Sequence, residues 1–200
     1  MIVFYGSPMS SAMRTHWMLE EIGVPYDYKR LSIREGDTKK PEYLRVNPGG
    51  KIPCIVDGDL TLTESMAINF YLAEKHGKDL MPTDVVQRAR VYEWSFWAIS
   101  NLQPLFITIL QHSMVLPEAE RDPKAIEKAR TLIPPYLELL EKSLTRKEYL
   151  VAGRFTVADL NVASVVGLAA MVGVDVSKYG NVQAWLGRCQ SRPSFAKSMD

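Results

Sequence analysis

Asn47-Pro48-Gly49-Gly50-Lys51-Ile52-Pro53-Cys54-Ile55-Val56, followed by Leu62-Thr63-Glu64-Ser65-Met66-Ala67-Ile68, decides the fold. Pro48, Gly49 and Gly50 are turn formers, so strand pairing cannot begin before Lys51. Pro53 opens the short apolar run Cys54-Ile55-Val56. It must sit at a strand start or edge, where its missing N–H is not needed. Asp57-Gly58 between apolar runs is a hairpin signal. The returning strand is Leu60-Thr61-Leu62-Thr63. Glu64-Ser65 then meets a helical pattern with Met66, Ala67, Phe70 and Tyr71 on one face, stopped at His76-Gly77. Two recognition devices result. The strand edge before Pro53 can pair with the backbone of an extended peptide. The helix N-terminus at Ser65 suits a carboxylate, and Glu64 beside it suits an ammonium. A ligand with an amino-acid end and a peptide body fits both. Taken alone, the same residues also read as an ordinary hairpin and helix cap.

Pro53, the Glu64-Ser65 pair and their spacing resemble the glutathione-binding core of the cytosolic glutathione transferases. In that family a strand ends in a cis-proline and a Glu-Ser pair opens the next helix. The similarity runs from about Val3 to Asp159, and in pattern to the C-terminus. Several non-enzymatic proteins share the fold, so the motif speaks more for fold than for activity.

Composition sets the bounds. Two hundred residues suit one large or two small domains. Lys and Arg total 24 against 23 acids, and residues 1–78 carry ten of each. No charge asymmetry therefore points to nucleic acid or membrane. The N-terminus lacks the features of a signal peptide. The longest apolar stretch, Val162 to Val174, is shorter than the roughly 20 residues a span needs. Cys54 and Cys189 are far apart with no C-x-x-C, against a disulfide framework or zinc site. The expectation is a soluble, cytoplasmic protein without a metal.

Outward from the opening stretch, Ile2 to Tyr5 reads as a buried strand. Ser10 or Ser11 caps a helix to about Ile22, with Met13, Trp17, Met18 and Ile22 on its apolar face and Gly23 as its stop. Tyr26 to Leu31 is a second strand, parallel to the first because a helix connects them. The order βαβ, loop, ββα gives a thioredoxin-like α/β domain over 1–78. Lys78 to Pro82 is the boundary. An all-α helical domain over 86–200 follows. It contains a long aromatic helix from Val85 to about Met114, bent near Pro104, and a helix from Ala125 to Leu144 kinked at Pro134-Pro135. Thr156 and Asp159 have capping-box spacing, and Phe155 and Leu160 have staple spacing. That motif also occurs in the family's helical domain. Residues 161–173 read as a buried central helix, and Tyr179 to Gln190 as the last one.

The chemistry follows from the resemblance. Only a thiolate attacks electrophiles, and a free thiol titrates near 8.5. A serine hydroxyl cannot act as its base, but it can donate a hydrogen bond that favours the anion. Tyr5-Gly6-Ser7-Pro8-Met9-Ser10 resembles the serine-type phi and delta classes, which implies Ser10 as the activating residue. Ser11 and Tyr5 are the alternatives. No cysteine occupies this region, which disfavours the cysteine-type classes. Glu64 and Ser65 would hold the γ-glutamyl end. The Ile52 backbone beside Pro53 would pair with the cysteinyl unit. Lys51, with Lys39 or Lys40, would meet the glycyl carboxylate. Met66 replaces an arginine of delta-type members. Arg14 is read only as a partner for an acid, and Cys54 as an inert buried thiol. His16, His76 and His112 form no metal or triad spacing. The electrophile site is expected between the domains, lined from the long helix by Ile99, Gln103 and Phe106. The expected protein is a homodimeric glutathione transferase acting on electrophilic small molecules, with peroxide reduction as a side activity. Alternatives are a glutathione-dependent isomerase and a non-catalytic interaction module of the same fold.

Overall fold

The computed structural model of the chain describes residues 1–199. It divides into two compact units: Met1–Met81 together with the C-terminal segment from Arg192, and Pro82–Ser191.

In the first unit, β1 (Ile2–Gly6), α1 (Ala12–Ile22), β2 (Tyr26–Arg30), the one-turn α2 (Pro41–Leu44), β3 (Cys54–Asp57), β4 (Leu60–Thr63) and α3 (Ser65–His76) follow in order. The sheet order is β2-β1-β3-β4. β1 is parallel to β2 and antiparallel to β3, and β3 is antiparallel to β4. The α1 crossover imposes the first relation and the Asp57-Gly58 hairpin the last. Gly23 stops α1 at φ 67° and sends its N–H to the Leu19 carbonyl, a left-handed end that glycine adopts without a Cβ penalty. Phe4, Trp17, Met18, Leu19, Ile55, Ile68 and Leu72 form the core.

The last turn of chain departs from the sequence expectation, which stopped regular structure at Gln190 and assigned residues up to 200 to the helical domain. Pro193–Ser198 forms a helix, α11, against α1. Its attachment is specific. Glu21 receives Arg192 and the Ser194 hydroxyl. The Trp17 indole donates to Ser194 Oγ at 3.2 Å and stacks edge-on to Phe195. His16 Nδ1 lies 2.9 Å from the Ser198 carbonyl. Six residues are too few to show a helical period, and these partners all lie about 180 positions away, so nothing local announces the element.

The second unit is helical: α4 (Val85–Trp97), α5 (Gln103–Leu110), α6 (Pro123–Leu132), α7 (Pro134–Ser143), α8 (Val157–Val166), α9 (Leu168–Met171) and α10 (Gly180–Gln190). The expected single helix to Met114 is interrupted by two wide π turns, at 98–102 and 111–115. The break lies before Pro104 rather than at it. Pro104 occupies the first turn of α5, directly after the first π turn. The break between α6 and α7 does fall at Pro134. Nine of the ten residues of α8 are buried, so it is apolar around most of its surface, and its buried Asp159 and Asn161 are hydrogen-bonded. It ends at Gly167 instead of running on to residue 173. Thr156 and Asp159 form the capping box at its start.

Candidate functional site

The first unit brings the chemistry-bearing stretches together from three elements. At the head of α1, Ser10 Oγ donates to the Ser7 carbonyl at 2.7 Å and accepts from the Ala12 N–H at 3.1 Å. Ser10, not Ser11, is therefore the side chain that caps the helix. Ser11 is exposed and reaches the Ile52 carbonyl at 3.4 Å. Tyr5 stands on β1 with its ring against Tyr43, centroids 5.4 Å apart.

The second element is the loop before β3. The Ile52–Pro53 peptide is cis, and Ile52 lies outside the β3 ladder, which begins at Cys54. Gly50 has φ 56°, and a Cβ there would sit 2.8 Å from both Lys39 Nζ and the Thr38 carbonyl. Only glycine fits that conformation and that space. Lys39 donates to the Gly50 carbonyl at 3.0 Å, so its ammonium already serves the loop. Lys40 is ion-paired with Asp37 at 2.6 Å, its own side chain exposed and that of Asp37 half-buried. Lys51 is exposed at the loop's end.

The third element is the start of α3. Glu64 has φ 67° and ψ 109° in the position preceding the helix. L-residues avoid that region at a cost of about 1–3 kcal/mol, and such outliers concentrate where a ligand must be met. Its side chain is exposed, while Ser65 is buried. Arg14 Nη1 donates to Ser65 Oγ at 3.4 Å. Burial lowers the Arg14 pKa to about 10, so the group remains cationic at neutral pH. A buried cation then lies under the positive end of the α3 dipole, and the two fields add. Asn69 ties the same place together by donating to the Arg14 carbonyl at 3.3 Å. The result is a positive helix end flanked by the exposed Glu64 carboxylate. That pair of charges complements a zwitterionic amino-acid head.

Burial pushes the Cys54 thiol up to about 11. It stays protonated at neutral pH and offers no redox chemistry there. No group of three or more His, Cys, Asp or Glu side chains that could hold a metal ion occurs among the described residues.

Comparison with known proteins fits this geometry. The glutathione S-transferase N-terminal domain matches residues 1–74, and the C-terminal domain of the same family matches residues 102–193. Glutathione S-transferase 3 of Zea mays is 32% identical over 98% of this chain and 91% of its own length. The chain belongs to the glutathione S-transferase family. Among solved structures, a Burkholderia graminis glutathione transferase with two glutathione molecules bound per subunit matches with a TM-score of 0.91, at 26% identity over 100% of this chain and 87% of that one. The theta class glutathione S-transferase of Xanthomonas axonopodis pv. citri, with glutathione bound, matches with a TM-score of 0.90, at 31% identity over 99% of this chain and 96% of that one.

In this family member, sequence reading named Ser10, Ser11, Ile52, Pro53 and Ser65, all of them in the first unit; among them one hydrogen bond, Ser11 to the Ile52 carbonyl, is made directly. It missed Arg14, Tyr43 and Asn47. Of the residues expected to meet the electrophile, Ile99 and Gln103 are half-buried in the helical unit. Phe106 has no exposed surface and packs inside that unit, so its side chain is core rather than lining. A groove of about 1010 Å³ does open in the helical unit, lined by Trp94, Trp97, Leu139, Arg146 and Tyr149 among others. None of the three expected residues lines it. No helix among the described residues is long and apolar enough to cross a membrane.

Proposed function

We propose that this chain is a cytoplasmic, homodimeric glutathione transferase that conjugates the glutathione thiolate to electrophilic small molecules, in the manner of detoxification enzymes. The observation that carries the reading is the Arg14–Ser65 contact beneath the α3 N-terminus, with Ser10 four residues earlier, just before the same α1. The first turns of α1 thus serve both the γ-glutamyl end and the thiol of the ligand. The γ-glutamyl carboxylate meets the α3 N-terminus and Ser65, and its ammonium meets Glu64. The cysteinyl backbone meets Ile52. The glycyl carboxylate meets Lys51 in solvent, together with Lys39, whose ammonium lies at the neighbouring Gly50 carbonyl, or Lys40. The thiolate meets Ser10, whose hydroxyl proton turns from the Ser7 carbonyl to the sulfur. A drop in thiol pKa from about 8.5 to 6.5 represents about 2.7 kcal/mol of anion stabilisation. A hydrogen bond to a charged acceptor supplies roughly 1.5–3 kcal/mol, and the α1 N-terminus adds to it. Ile99 and Gln103 contribute to electrophile binding, and peroxide reduction uses the same thiolate.

The test is calorimetry with glutathione, together with thiolate absorbance of the bound ligand from pH 5 to 9. Micromolar-to-millimolar binding with a depressed thiol pKa is the expected result. Absence of binding would reduce the protein to a non-catalytic member of the fold.

Arg14→Met gives a second check. Removing the buried cation deletes a charged donor to Ser65 and part of the positive field, so the glutathione Kd is expected to rise about tenfold or more. The apolar replacement needs no counter-charge, so thermal unfolding should show the fold retained. Affinity within twofold of wild type would remove Arg14 from the site.

A further inference from the structure

The loop that presents Ile52 is held from behind by two side chains that no sequence signal marks as functional. Tyr43, on α2, donates its hydroxyl to the Lys51 carbonyl at 2.5 Å. Asn47 donates Nδ2 to the same carbonyl at 2.7 Å, while its Oδ1 accepts from the Gly49 N–H at 3.0 Å. Both side chains are buried. The Asn47 N–H is itself fixed to the Tyr43 carbonyl at 2.8 Å, so the two donors form one rigid unit.

A peptide group is planar, so fixing its carbonyl fixes the N–H on the far side of the same plane. Two donors on the Lys51 oxygen therefore aim the Ile52 N–H in the opposite direction, away from the protein groups that hold the carbonyl. Ile52 precedes β3 and takes no part in its ladder. Its backbone is thus oriented without being used by the sheet. A carbonyl oxygen has two lone pairs, and both are taken up here by buried donors, which fixes the rotation of the plane.

We propose that Tyr43 and Asn47 are positioning residues for glutathione, acting through the Lys51–Ile52 peptide plane to present the Ile52 N–H to the cysteinyl carbonyl. The inference rests on the glutathione reading above. It separates the residues that set affinity for the peptide body from Ser10, which sets the state of the sulfur.

The two groups can be removed without emptying their surroundings. Tyr43→Phe keeps the ring packed on Tyr5 and deletes one donor. Asn47→Ser keeps an oxygen for the Gly49 N–H but is too short to reach the Lys51 carbonyl. Each single variant is expected to raise the glutathione Kd and KM three- to tenfold, and the double variant at least thirtyfold. The thiol pKa of bound glutathione and kcat should stay within twofold. Thermal unfolding without ligand should shift little, while the glutathione-induced rise shrinks. Hydrogen exchange at the Ile52 amide supplies the direct readout: glutathione should protect it in wild type and protect it less in each variant. Variants that bind within twofold of wild type with full Ile52 protection would overturn the inference and leave the glutathione reading standing. A wild-type protein that binds no glutathione would overturn both.

Discussion

Ser10→Ala is expected to return the thiol of bound glutathione to the 8.5–9 range of the free tripeptide and to cut conjugation at pH 6.5 by ten- to a hundredfold. Glutathione affinity should change less than threefold. The magnitude follows from deleting a hydrogen bond to a charged acceptor, about 1.5–3 kcal/mol. The sign gives the assay its shape. A depressed thiol pKa matters only where the unassisted thiol would be protonated, so the two proteins should differ most below pH 7. The gap should close as pH rises past 8.5, because the thiol then ionises without help. Ser10 also caps α1 by accepting from the Ala12 N–H, so the substitution costs about 1 kcal/mol of stability as well. That cost does not depend on the thiol and appears in thermal unfolding. Ser10→Thr keeps the hydroxyl and should recover most of the pKa depression. If the depression survives Ser10→Ala, the donor is elsewhere. Ser11, whose hydroxyl is 3.4 Å from the Ile52 carbonyl, and Tyr5 on β1 are then tested as Ser11→Ala and Tyr5→Phe.

How much of this was legible in the sequence depends on how far each feature reaches along the chain. Pro48-Gly49-Gly50, Asp57-Gly58 and His76-Gly77 are local punctuation, and the loop, the hairpin and the end of α3 fall where they indicate. Thr156 with Asp159 is likewise local and forms its capping box. Arg14 is different. Its value comes from Ser65, 51 positions later, and only the packing of α1 on α3 brings the two together. Tyr43 and Asn47 have a backbone oxygen as their common target, which leaves no trace in side-chain pattern. The π turns at 98–102 and 111–115 add a residue to a turn without any residue type that demands it. Phe106 illustrates the opposite error. Helical spacing from Ile99 and Gln103 suggested a shared lining face, but the π turn at 98–102 shifts Ile99 relative to α5, and Phe106, on α5 itself, is wholly buried.

Asp159→Ala should be the most damaging single substitution in the helical unit, at about 3–6 kcal/mol. The carboxylate is buried and receives the Leu150 N–H at 2.8 Å, the Trp185 indole N–H at 2.9 Å, the Thr156 N–H at 2.9 Å and the Thr156 hydroxyl at 3.0 Å. One side chain thus joins the segment before α8, the first turn of α8 and the middle of α10. Alanine leaves three buried N–H groups without acceptors, each costing about 1–3 kcal/mol before relaxation. The sum is a large part of the 5–15 kcal/mol that stabilises a typical domain. Asp159→Asn separates acceptor geometry from charge. Its oxygen can still serve Leu150 and Trp185, but its amide N–H₂ faces the Thr156 N–H, so a loss of about 1–3 kcal/mol is expected. Burial pushes the Asp159 carboxyl above its ordinary 3.8, against the pull of its four donors. The folded chain therefore binds this proton more tightly than the unfolded chain. The stability this carboxyl contributes to wild type is therefore fully present below pH 3.8 and falls as pH rises through the elevated folded value, a slope that Asp159→Asn lacks. Urea midpoints of the three proteins across pH 3–8, followed by tryptophan fluorescence, measure the order and the slope. If Asp159→Ala costs less than 1 kcal/mol, the helical unit is held at this junction by apolar packing alone, and the capping box merely decorates the start of α8.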